Sequence, residues 1–176
     1  MIRSYNEIVA MAVKAARGAG IPLGHAEDFG PALAYVVSQD PANARNAVAC
    51  LEAGPAPLEC AVDTGEMTIT CISAIMAAPV AIDALVAGVH RVVVKGCTTP
   101  DLLAAYCALA GGCAAQMGDV ITLTPAKVPA ETITAGPVDV DAEIWKALNA
   151  FAKKTYVPAT EASRLSGAGA GLTDND

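Results

Sequence analysis

Aromatic side chains are scarce in this chain, at 4% of 176 residues, and charged ones make up only 16%. Long apolar runs are missing as well. The nearest candidate for a membrane span, "CISAIMAAPVAIDALVAGV", is broken by Pro79 and Asp83 and falls short of the roughly 20 apolar residues a bilayer requires. No secretory leader is expected, because Glu7 and Lys14 interrupt the first apolar pattern. Histidine is limited to His25 and His90, too few and too far apart for a zinc site. There is no Walker loop, GxSxG elbow or HExxH pair. Positive charge is outweighed: the net charge is −7 and the basic residues are scattered, which argues against a nucleic-acid or anionic-membrane partner.

What is present is small and apolar. Hydrophobic residues reach 54% and mean hydropathy is +0.45. Much of this is alanine, which adds helix propensity more than buried area. Few charges over so many small apolar residues imply extensive burial, including a subunit interface, so a homo-oligomer (a dimer) is expected. The six cysteines form no CxxC, and most occupy apolar positions of expected helices and strands. Buried reduced thiols in a cytoplasmic protein are the expectation, with no metal and no disulfide framework.

The first helix is announced by a capping box, Ser4 with Glu7 three residues on, and by apolar positions Tyr5, Ile8, Val9, Ala12, Val13 and Ala16. Gly18 and Gly20 stop it. A second helix carries Phe29, Leu33, Val36 and Val37 and starts at either Gly24-His25 or Gly30-Pro31. A third follows Asp40-Pro41 and ends at Gly54. The period then changes to two: "LECAVD" and "MTITCI" flank the turn "DTGE", a hairpin. A helix from Pro79 to Ala87, a strand "VHRVVV", a helix from Pro100 capped by Thr99, a strand "DVITLT", a short strand "ETITA" and a last helix from Asp141 to Lys154 follow. This order predicts an α/β protein. It is expected to be a single domain (1–176), with a helical segment (1–54), an α/β core (58–154) and a docked glycine-rich tail (155–176). The sheet would be mixed or partly parallel and covered by helices; the alternative is α+β.

Three stretches offer chemistry. In "KAARGAGIPLGHAED", Lys14 and Arg17 share a helix face, Gly18, Gly20 and Gly24 allow close backbone approach, and His25 can act as acid or base. In "VVVKGCTTPD" a strand runs into a helix start, where Lys95, Thr98 and Thr99 suit an anion. Cys97 there is a candidate low-pKa nucleophile. In the tail, Tyr156, Glu161, Ser163 and Arg164 precede alternating Gly167, Gly169 and Gly171, which can expose successive amides or thread a groove.

The two ends together, "SYNEIVAMAVKAARGAGIPLGHAEDFG" and "KTYVPATEASRLSGAGAGLTDND", resemble an uncharacterised bacterial family, a domain of unknown function. Its members open with a KAARGAG-type helix and close on a VPA-x-x-SR-x-x-GAGAG tail. The resemblance assigns no catalytic residue and names no cofactor. It implies that the two ends form one functional unit. Two functions are therefore expected to compete. One is binding of a small anionic metabolite by Arg17 or Arg164 and glycine-rich backbone. The other is a non-catalytic homo-oligomeric assembly with a clasping tail.

Overall fold

The computed structural model describes residues 1–40, 44–125 and 136–156. Glu161, Ser163, Arg164, the glycine-rich tail and the "ETITA" strand lie outside the described residues. The elements in chain order are β1 (Ile2–Arg3), α1 (Tyr5–Gly18), α2 (Leu23–Gln39), α3 (Ala44–Ala53), β2 (Glu59–Asp63), β3 (Glu66–Thr70), α4 (Ala74–Val86), β4 (Arg91–Lys95), α5 (Pro100–Leu109), β5 (Gly112–Met117), β6 (Val120–Pro125), β7 (Val138–Asp139) and α6 (Ala142–Ala152), followed by a 3-10 turn (Lys153–Thr155).

Helix α1 begins where the capping box places it. Ser4 Oγ accepts from the Glu7 amide, and Glu7 Oε2 accepts from the Ser4 amide at 2.9 Å. Its apolar stripe buries Ile8, Ala12, Ala15 and Ala16 against α2 and α6. Helix α2 takes the early start, so Pro31 falls inside it; the chain continues through that proline, whose carbonyl accepts from the Tyr5 hydroxyl at 3.4 Å. Helix α4 likewise begins at Ala74, five residues before the expected Pro79, which sits within it. An internal proline removes one helical hydrogen bond. Here the segment's strong apolar burial, with Ala74, Ile75, Ala77, Ala78 and Ala81 all inside, offsets that loss.

The main sheet has the order β2-β3-β4-β6-β5. Strands β3 and β4 are parallel, joined across α4, and every other pair is antiparallel. The fold is thus α/β with a mixed sheet. Strand β5 is an addition to the expected order: "GCAAQM" has no β-branched residue, yet it pairs with β6 through a tight turn at Gly118-Asp119. A second, two-stranded sheet joins β1 to β7.

Met67, Ile69, Val92, Val94, Ile121 and Leu123 point from the sheet into the core. Helices α4 and α5 pack on that face, and α1, α2 and α6 lie beyond them.

Candidate functional site

The parallel pair β3–β4 determines where a ligand can sit. Each strand runs directly into a loop and then a helix start, so both loops open at the same end of the sheet. Gly96 makes the turn after β4 with φ +75°, a left-handed conformation that glycine adopts without strain. The two loops are tied together through one carbonyl: Ile72 O accepts from the Thr98 amide at 3.1 Å and from the Thr98 hydroxyl at 3.0 Å. Between them and α3 lies a cavity of about 160 Å³, lined by Asn46, Cys50, Ile72, Ser73, Thr98 and Thr99 among others.

Ser73 and Thr99 are the N-cap residues of α4 and α5, and neither side chain bonds to the first amides of its helix. Both are almost fully buried, Ser73 at 2% and Thr99 at 3% exposure. Thr99 Oγ1 lies 2.9 Å from Cys50 Sγ. Ser73 Oγ has no hydrogen-bond partner among the described residues. A buried hydroxyl without a partner costs about 1–3 kcal/mol.

Burial favours the neutral form of the thiols here. Burial pushes the Cys97 thiol up, and the Thr99 amide and hydroxyl oppose this without reversing it. Burial also raises Cys50, against the pull of the Thr99 hydroxyl and the Ala74 amide, and it raises Cys71. The expectation of a depressed Cys97 pKa is therefore corrected: desolvation outweighs the helix start. All six cysteines are free, with Cys60 and Cys113 exposed.

The expected site residues fall into separate places. Thr98 lines the cavity, whereas Lys95 does not. It alternates with Val94 and so projects from the opposite sheet face, where it is exposed. Arg17 is exposed in the last turn of α1, and Gly20 follows with φ +84°. Gly18 serves packing: a Cβ there would come within 2.7 Å of the Phe151 carbonyl carbon and closer still to its oxygen. His25 is half-buried in the first turn of α2, three residues before Asp28. Tyr156, at 60% exposure, closes the 3-10 turn after α6. No hydrogen bond or ion pair among the described residues joins the Arg17–His25 group to Lys95 and Thr98.

Asn46, Cys50 and Ser73 were not legible as site residues. Ser73 would have been, had α4 been read from Ala74, because serine is a preferred N-cap.

The assembly defined so far is an α/β protein with an uncapped double helix start at the ends of its parallel strands. Residues 3–51, covering α1, α2 and most of α3, match the family model described as protein of unknown function (DUF3726). The likeness to an uncharacterised family thus extends over the N-terminal helices. No curated protein and no solved structure matches the chain. No helix among the described residues is long and apolar enough to cross a membrane.

Proposed function

We propose that the chain binds a small carboxylate monoanion in the cavity between α3 and the starts of α4 and α5. The observation that carries this reading is the buried, unpartnered Ser73 hydroxyl at an uncapped helix start, beside a second one. Helix N-termini carry a partial positive charge, and two of them border this cavity. Asn46 and the Ser73, Thr98 and Thr99 hydroxyls are neutral, and no lysine or arginine among the described residues lines the cavity. Without a full positive charge, desolvating a dianion is too costly, so the preference is for a monoanion such as acetate or pyruvate over hydrogen phosphate. Affinity is expected in the millimolar range, about −4 kcal/mol. Acetate should raise the melting temperature of the parent chain in a saturable way. It should leave a Ser73→Val variant unmoved, while the same variant without acetate melts no lower than the parent. Equal acetate shifts in both proteins would refute the assignment.

A second reading is self-association through the β5 edge, favoured by one observation. This edge strand carries no charge and no proline, its Cys113, Ala114, Ala115 and Met117 are exposed, and Met117 reaches 86% exposure. Such unprotected edges add a further strand readily. Sedimentation of the parent and of an Ala115→Lys variant checks this: a dimer that the variant splits supports it, and a monomeric parent refutes it.

A further inference from the structure

A second cavity, of about 310 Å³, lies among α2, α4 and α5, towards the C-terminal halves of α4 and α5. Asp28 of α2 and Asp83 of α4 stand on it, both exposed, and no basic residue among the described residues lines it. Its wall is apolar: Pro31, Pro79, Ile82 and Leu109. Tyr106 of α5 also lines it, only 3% exposed, and its hydroxyl has no hydrogen-bond partner among the described residues.

Three features agree in sign. Asp83 sits in the last turn of α4, which contains no basic residue, so its charge adds to the negative end of the helix dipole. Leu109 and Ala110 bring the carbonyl end of α5 to the same cavity. Asp28 has its carboxyl pushed above the usual range by burial; His25 opposes this, and Asp83 and Glu27 reinforce it. Burial also pushes the Tyr106 phenol well up, with Asp28 and then Cys50 adding to the effect, so it stays a neutral hydroxyl. The lining gathers negative charge and acceptors with no lysine or arginine among the described lining residues, and His25, near Asp28 on α2, only partly offsets them.

We propose that this cavity binds a primary alkylammonium, its three N–H donors shared among the Asp28 and Asp83 carboxylates and the Tyr106 hydroxyl. The hydrocarbon chain lies on the proline and leucine wall. A metal ion is the poorer occupant, since no group of three or more His, Cys, Asp or Glu side chains among the described residues converges to hold one.

The probe is n-butylammonium, titrated calorimetrically at a fixed ionic strength of about 0.15 M so that general screening is constant. Saturable binding is expected, with n-butanol at least about tenfold weaker because it lacks the charge. An Asp28→Asn/Asp83→Asn variant, altered only at exposed positions, should melt like the parent and lose about tenfold or more in affinity. Tyr106→Phe should keep or raise the melting temperature and weaken the ammonium about threefold. Binding of butanol as tight as butylammonium, or unchanged affinity in the double variant, would overturn the proposal. Ser73→Val should leave this binding untouched, so the two cavities are tested separately.

Discussion

A Gly18→Ala protein is expected to unfold roughly 10 °C below the parent, from a loss of about 3 kcal/mol at 2–4 °C per kcal/mol. The cause is a helix crossing with no room. Helices α1 and α6 run side by side, and at their C-terminal ends the α1 backbone at Gly18 meets the carbonyl of Phe151. A methyl group there would overlap a backbone oxygen, which cannot swing aside as a side chain can. The two helices must part, and the buried stripe of Ile8, Ala12, Ala15 and Ala16 shares the displacement with Ile144, Leu148 and Ala152 of α6. Gly24→Ala is the control. Nothing lies within 4 Å of its would-be Cβ, and it stands in the first turn of α2, so alanine should leave stability within about 0.5 kcal/mol of the parent or raise it. Melting curves of the two variants side by side decide between packing and a general intolerance of change in this stretch.

Phe29→Ala should cost about 3–5 kcal/mol, more than 6 °C in melting temperature at the least. Phe29 is one of only two phenylalanines, fully buried in α2, which packs on α1, α4 and α5. Half of the buried positions of α1 and α2 are alanine: Ala12, Ala15, Ala16, Ala26, Ala32 and Ala34 are all at 0% exposure. Short side chains bring helices close but cannot extend to fill a void. The cavity left by one lost ring therefore stays open, and its full cost is felt. Phe29→Leu, which keeps most of the volume, should recover more than half of the loss in a urea titration.

These two sites show which parts of the molecule can be read from sequence. Helix α1 was legible to its capping residue, because Ser4, Glu7 and the apolar spacing all act locally. The β3–α4–β4 unit was legible from its rhythm, and the parallel pair follows from it. The start of α4 was not, because Pro79 has the same signature at a first helical position as inside a helix sustained by burial. Strand β5 was not either, since its pairing with β6 substitutes for the β-branched residues it lacks. Gly18 carried a true signal with two meanings, and only the position of Phe151 separates close packing from a ligand approach. The cavity behind Thr98 was half legible. The strand-to-helix turn and Thr99 pointed to it, but Ser73 and Cys50 arrive from α4 and α3, which no sequence spacing connects to Thr98. The alternation of β4 also turned Lys95 away, so the charge expected at the site is replaced by helix amides and neutral hydroxyls.

That replacement is the centre of the account, and backbone amide shifts during a titration with sodium acetate test it most directly. The expected result is saturable movement of the Ala74, Ile75, Asp101 and Leu102 amides, at the starts of α4 and α5, with one shared millimolar midpoint, and no movement in Ser73→Val. Amides at these two helix starts that stay still, while others such as those around Arg17 and Gly20 shift, would contradict it.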